Sequence, residues 1–252
     1  MTPEHSFPSG VSIEERQITD AELDGWLAGL MKLADHPNGV ELIKSYTAFY
    51  NLVQAGKRPI VQLIKGRAGS RQVLIDSLSQ AQKFVIITSP WLSKRSIDDE
   101  ILSRMTALLE RGCRVYIGWG YSYDIKGITT YSGNAIIEIY PSGECSVNAT
   151  ADQSGQYNAF RDLQMLRSRY REQMELKLLG THEKYIVCDR QFTLIGSHNT
   201  LSSKDNRDLL YAPREMGLKT TDQGTIDGVV EDYFNAPDLR YSLRTPSKIR
   251  VS

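Results

Sequence analysis

Long apolar runs are missing from this 252-residue sequence. No stretch approaches the roughly 18 consecutive apolar residues that a membrane span needs. The opening segment, MTPEHSFPSG, has neither the basic n-region nor the apolar h-region of an export signal. A cytoplasmic chain with no membrane partner is therefore expected. Cysteine is scarce: Cys113, Cys145 and Cys188 form no CxxC pair, and an odd number in a chain without an export signal argues against a disulfide framework. Cys113 and Cys188 are expected as small buried hydrophobes. Histidine is nearly as scarce, with His5, His36, His182 and His198, and none lies at ligand spacing from a cysteine, so no metal site is expected.

Net charge is also absent, since 30 Lys and Arg balance 30 Asp and Glu. An even spread would argue against a polyanionic partner, but the spread is uneven. Glu4, Glu14, Glu15, Asp20, Glu22, Asp24 and Asp35 make the first segment acidic, whereas residues 53 to 120 carry roughly six more basic than acidic side chains. A locally positive face is compatible with that pattern. What remains is a chain of ordinary composition, long enough to bury a full core: one domain with an accessory segment.

Residues 1 to 18 hold Pro, Ser and Gly with little periodicity. Apolar positions recur at helical spacing from Ile18 to Leu33, with Thr19 and Glu22 as a capping box, and a second helix is expected from Val40 to Gln54 after the His36-Pro37-Asn38-Gly39 breaker. These helices form an acidic N-terminal segment, 1–64, suited to dimerisation, partner docking or covering a site. The domain proper, 65–236, alternates elements. Helices are expected at Ser70 to Ala81, Ser96 to Arg111, Ala159 to Met174 and Ile226 to Phe234. Strands are expected at Phe84 to Thr88, Arg114 to Trp119, Glu175 to Leu179, Glu183 to Cys188, Phe192 to Ser197 and Glu215 to Thr220. The fold class is α/β, a mixed β-sheet sandwiched between helices, with an N-terminal helical accessory segment. Between about 120 and 157 the pattern dissolves, except for two alternating runs flanking Pro141-Ser142-Gly143 that read as a hairpin. Such an excursion in a compact domain is usually functional or disordered. Residues 237–252 form a basic tail with Arg240, Arg244, Lys248 and Arg250.

The chemistry is carried by THEKYIVCDRQFTLIGSHN, residues 181 to 199. In a strand His182 and Lys184 share a face roughly 6 to 7 Å apart, within reach of one phosphate. Asp189 has the opposite parity at the strand's end, which suits an orienting or turn-stabilising role. Ser197 and Asn199 share parity and offer donors to phosphate oxygens. The pattern resembles the phospholipase D superfamily, whose HxKxxxxD signature is filled by His182, Lys184 and Asp189 and whose GSxN segment is filled by Gly196, Ser197 and Asn199. PREMGLKTTD, residues 213 to 222, is similar to the later family strand and places an acidic residue at Glu215. Residues 81 to 120 are similar to the unit preceding the motif.

The resemblance implies a phospholipase D/nuclease-like fold and a catalytic set of His182, Lys184, Asp189, Ser197, Asn199 and Glu215. His182 would attack phosphorus and form a phosphohistidine. Glu215 would hold the other ring nitrogen, while Lys184, Ser197 and Asn199 stabilise the non-bridging oxygens. No cofactor is implied. A second histidine is needed to protonate the leaving oxygen, and neither His5 nor His36 has a lysine two residues on. A homodimer bringing two copies of His182 and Lys184 together is therefore expected.

Other residues carry competing readings. Trp91, in SPWL after a buried strand, either lines the site or packs. Arg161, Arg167 and Arg171, interleaved with Tyr157, Phe160 and Tyr170, form either a nucleic-acid surface, to which Lys204 would add, or a solvated helix face. His198 is read as structural. Among function classes, a nuclease acting on DNA before RNA is favoured by the single motif and the basic patches. A lipid hydrolase or phosphatidyltransferase would be expected to show two motifs, an export signal or an exposed apolar surface, none of which the sequence displays, and a non-catalytic scaffold conflicts with the intact residue set. The resemblance also suggests an antiviral-defence or repair setting, with or without a helicase partner.

Overall fold

In the computed structural model, residues 60–128, 135–203 and 214–242 are described, together with Gly25 and Ala28, both helical. The rest of the two expected N-terminal helices, Lys204 and the tail beyond 242 lie outside the described residues. The chain divides into two compact units, Met1–Arg58 and Pro59–Ser252, and the second holds everything that follows.

Short, mainly apolar runs without polar alternation make strands that are buried on both faces. Phe84–Thr88 (β2) and Arg114–Trp119 (β3) are of this kind and coincide with the expected segments. Val61–Lys65 (β1), Ile137–Ile139 (β4), Cys145–Val147 (β5), Met174–Leu178 (β6), Tyr185–Cys188 (β7), Phe192–Gly196 (β8) and Met216–Thr220 (β9) complete the strands. Seven of them form one sheet in the order β1-β9-β8-β7-β2-β3-β6, and β4 pairs with β5 as the expected hairpin. The sheet is mixed: β2, β3 and β6 are parallel, whereas β7, β8, β9 and β1 alternate in direction.

Helices Gly66–Gln80 (α1), Asp99–Glu110 (α2), Phe160–Arg169 (α3), Gln223–Asn235 (α4) and Leu239–Ser242 (α5) connect or follow the strands. The start of α2 is set by the Asp98 side chain, which accepts from the Ile101 N–H at 3.2 Å. Asp222 does the same for α4, accepting from Thr225 N–H at 2.8 Å. Leu74, Leu78, Ile101, Met105 and Leu108 pack on one face of the sheet against Val85, Ile87, Val115 and Ile117. On the other face α4 lays Ile226, Val230 and Tyr233 over Ile86, Tyr185 and Val187. The expected helix–sheet–helix sandwich is the observed fold.

Several boundaries differ from expectation. β1 falls across the expected 64/65 boundary; it is an edge strand with exposed Val61 and Leu63, so its pattern does not read as a buried strand. α3 ends at Arg169 because Met174 is recruited into β6 beside Val115. The expected basic tail opens with a helical turn in which buried Arg240 is clamped by Asp238. All three cysteines are buried and free, and burial pushes the Cys188 thiol up to about 12 and the Cys145 thiol up to about 11.

Beyond the reach of α4, no described element covers the second sheet face. Leu63, Leu218 and Ile195 sit side by side across β1, β9 and β8, with Val61 61% and Met216 58% exposed on the same patch. The sequence had been read as lacking such a surface; alternation within short edge strands hid it.

Candidate active site

The strand directions gather one set of ends at one edge of the sheet. Thr88 at the end of β2 pairs with Tyr185 at the start of β7, Tyr185 pairs with Ile195 near the end of β8, and Gly196 pairs with Gly217 at the start of β9. Met216 in turn faces Lys65 at the end of β1. Segments 89–91, 120–124, 181–184, 197–199, 214–215 and 66–67 therefore emerge together, at the strand ends where α/β sheets usually keep their sites.

His182 and Lys184 precede β7 rather than lying within it. The Lys184 carbonyl still pairs with the Gly196 N–H at 3.1 Å, which fixes its place beside β8. The free end lets the two side chains approach more closely than strand spacing allows: Lys184 Nζ lies 3.2 Å from His182 Nδ1 and donates to the His182 carbonyl at 2.6 Å. Desolvation and then the Lys184 charge hold the His182 imidazolium below its ordinary range, favouring the neutral ring. Burial lowers Lys184 too, opposed by the negative field of Glu215.

Gly196 is required by space. A Cβ there would stand 2.7 Å from the Met216 carbonyl oxygen and 2.8 Å from Gly217 Cα. Ser197 then follows, its hydroxyl donating to Glu215 at 2.5 Å, while Arg67 stands 3.8 Å from the same carboxylate. The expected bond from Glu215 to the His182 ring is not formed; the carboxylate is turned toward Ser197 and Arg67 instead. Asn199, with its side-chain oxygen buried and without a partner, lines a 270 Å³ cleft with Trp91, Arg95, Gln156 and Ser202. His198 is buried, its Nε2 2.9 Å from the Ser203 carbonyl, in keeping with a structural role. A second groove, 390 Å³, runs along His182, Lys184, Tyr185, Ile195, Gly196 and Val229.

Asp189 is not brought to the His182 cluster. It follows β7 at the strand end remote from His182, is 5% exposed, and its carboxylate accepts from the backbone N–H groups of Gln82, Lys83 and Phe84 at 2.9, 2.9 and 2.7 Å. Its left-handed φ of 50° places it in the turn to β8. It ties the start of β2 to the end of β7, as the turn-stabilising reading has it.

Trp91 is brought to the site. Its ring meets His182 edge-on at 5.8 Å, and its indole N–H donates to Asp124 at 3.0 Å. The arginines divide. Exposed Arg161 opens α3 near the site edge, where Lys94 pairs with Asp162. Arg167 and Arg171 lie toward the opposite edge, because α3 runs back to the start of β6, and there Arg169 reaches Glu110 at the end of α2. They are not part of the His182 cluster.

Sequence reasoning missed Arg67, Tyr121 and Asp124, and it read Tyr157 only as part of the arginine-bearing surface. The Tyr121 ring lies 5.3 Å from His182. Buried Tyr157 donates to Asp124 at 2.7 Å and accepts from Tyr121 N–H at 3.1 Å, and burial pushes its phenol up. Asp152 folds this end of the excursion, accepting from Gln156 and Tyr157 N–H, and Gln156 in turn accepts from Leu92 N–H at 2.7 Å. Tyr121 follows the buried strand β3 after Gly120, and that position alone could have flagged it.

A HxK pair and a GSxN segment thus meet at the open end of a mixed α/β sheet. A family model described as "Cardiolipin synthase, PLD-like domain" matches residues 74–236. The chain belongs to the phospholipase D superfamily, whose members act on phosphodiester bonds. It is similar to the solved structure of NucT from Helicobacter pylori at 16% identity and a TM-score of 0.45, over 71% of this chain and 96% of that one. Nuc from Salmonella typhimurium, a phospholipase D family member, is similar at 13% and 0.41, over 71% and 94%. Phosphatidylserine synthase from Haemophilus influenzae is similar at 19% and 0.48, over 71% and 38%. No curated protein matches the sequence.

Proposed function

We propose that this chain is a phosphodiesterase that cleaves nucleic acid, DNA before RNA, with His182 as nucleophile. The carrying observation is the pairing of a neutral-biased His182 with Lys184 at 3.2 Å. A phosphate that accepts from the Lys184 ammonium withdraws it from the imidazole and frees the ring lone pair. His182 then attacks phosphorus, the bond to the leaving oxygen breaks, and water hydrolyses the phosphohistidine. Lys184 and Asn199 hold the non-bridging oxygens, with Ser197 joining them when it releases Glu215. Glu215 acts through its field on Lys184, and the reaction needs no cofactor.

The leaving oxygen needs a proton that the described cluster supplies from no second imidazole. A homodimer meets that need, the partner copy of His182 acting as acid, and the bare apolar face beside Ser197 is a surface that a second copy could cover. One observation favours a second reading, a lipid phosphodiesterase: the same apolar face could rest on a membrane. Among the described residues no helix is long and apolar enough to cross one.

Incubation with single-stranded DNA, duplex DNA, RNA and phosphatidylcholine vesicles in excess EDTA, beside His182→Ala, separates these readings. Nucleic-acid cleavage lost in the variant is the expected result. Lipid turnover alone would replace the first reading by the second, and cleavage abolished by EDTA would remove the metal-free mechanism.

A further inference from the structure

The excursion after β3 brings more to His182 than a wall. Four rings form a chain: Trp91 meets the imidazole at 5.8 Å, Tyr121 meets it at 5.3 Å, Trp91 and Tyr121 meet each other at 5.6 Å, and Tyr121 passes contact to Tyr123 at 5.2 Å. Tyr123 is the outer member and is 54% exposed. An aromatic side chain half open to solvent, one ring removed from His182, is available to a ligand.

The chain of rings is held rigid from beneath. Asp124 Oδ2 takes both the Trp91 indole N–H and the Tyr157 hydroxyl. Tyr157 anchors the Tyr121 backbone, and a 3₁₀ turn over Ser122–Asp124 closes with Asp124 N–H on the Tyr121 carbonyl at 2.9 Å. Rings fixed in this way lose little freedom when a flat ligand stacks on them. On the other flank of Trp91 lies the polar 270 Å³ cleft with exposed Arg95 and the unpartnered Asn199 oxygen.

We propose that Tyr123, Tyr121 and Trp91 are a base-stacking platform that makes single-stranded nucleic acid the substrate, one nucleotide beside the scissile phosphate lying on the tyrosines. The inference rests on the nuclease reading above. Every base has a π-face, so stacking gives affinity without sequence preference, but in a duplex those faces are covered by neighbouring bases. A quaternary ammonium headgroup is also attracted to aromatic faces, but the cleft on the other flank of Trp91 is polar and carries exposed Arg95, which suits a phosphate backbone rather than an acyl chain. The ribose 2′-hydroxyl is not read by a ring face, so DNA and RNA single strands share this chemistry.

The test compares kcat and KM on a DNA single strand, an RNA single strand, a DNA duplex and a DNA single strand with abasic sites flanking the cleaved bond, with phosphatidylcholine vesicles as a fifth substrate. Wild-type protein is expected to favour base-bearing single strands over the duplex and over the abasic strand by about ten-fold in kcat/KM. Tyr123→Ala, at an exposed position that carries no fold, erases the preference through KM, and Tyr123→Phe keeps it. The two single-strand arms tell which sugar is accepted. Nucleic acid cleaved with no strand or base preference, or a preference untouched in Tyr123→Ala, overturns the platform and leaves the nuclease reading intact. Phosphatidylcholine turnover with no nucleic acid cleaved overturns both.

Discussion

Replacing Asp189 measures what the last residue of the HxKxxxxD motif does in this chain. Its carboxylate takes three backbone N–H groups from the start of β2, two on Oδ1 and one on Oδ2. Hydrogen bonds to a charged acceptor contribute about 1.5 to 3 kcal/mol each, with the lower end fitting donors that are partly solvated here. Asp189→Asn keeps Oδ1 and the tolerance of a left-handed φ, but turns an N–H toward the Gln82 donor, so a loss of about 2 kcal/mol is expected. Asp189→Ala loses all three bonds and adds about 1 kcal/mol of left-handed backbone cost, for a total of about 5. Against a typical stability of about 5 to 15 kcal/mol, the alanine variant is at or near unfolding, whereas the asparagine variant remains measurable. Urea unfolding gives the loss as a shifted midpoint at unchanged slope, and kcat per folded molecule is read on the same sample. A folded Asp189→Asn protein with kcat near wild type is the expected outcome. A loss of more than about a hundred-fold in kcat at unchanged stability would refute the reasoning and return Asp189 to the catalytic set.

Three further outcomes follow from the same geometry. Burial and the Lys184 charge both lower the His182 pKa, so the acid limb of the kcat/KM profile is expected below the ordinary histidine range. Lys184→Met removes the charge, lets the imidazolium form more readily and moves that limb to higher pH, while cutting kcat by about a hundred-fold or more; a limb that stays in place argues against the pairing. Gly196→Ala drives a methyl into the β9 backbone at Met216 and is expected to lose about 1 to 3 kcal/mol by thermal or urea unfolding, whereas a neutral change would show that β9 yields. Leu218→Glu, in the middle of the bare apolar face, should shift a dimer to monomer in sedimentation with activity falling in parallel; a fully active monomer would remove the shared-site model.

Strands with mainly apolar runs were legible because burial on both faces leaves a one-dimensional mark: FVIIT and RVYIGW were read to the residue. β1 was not, because its exposed valine and leucine carry meaning only beside β9. The motif residues were legible as types and neighbours, but their contacts were not. Parity put His182 and Lys184 on one strand face, whereas both precede β7, and it is the release from strand geometry that allows a 3.2 Å approach. Glu215 was assigned to the His182 ring, yet the β8–β9 pairing aims it at Ser197. Trp91 was found because it follows a buried strand, and the same argument applied to β3 would have found Tyr121. Asp124 and Tyr157 carry no local mark; they matter because 33 residues of chain return to close on Asp124.

The central claim is that His182 becomes covalently bonded to phosphorus. Single-turnover quenching with an oligonucleotide carrying a radiolabelled scissile phosphate, followed by peptide mapping, tests it directly. An acid-labile, base-stable adduct on the peptide containing His182, absent from His182→Ala, is the predicted result. Full single-turnover cleavage with no adduct, or an adduct on another residue, would contradict the account.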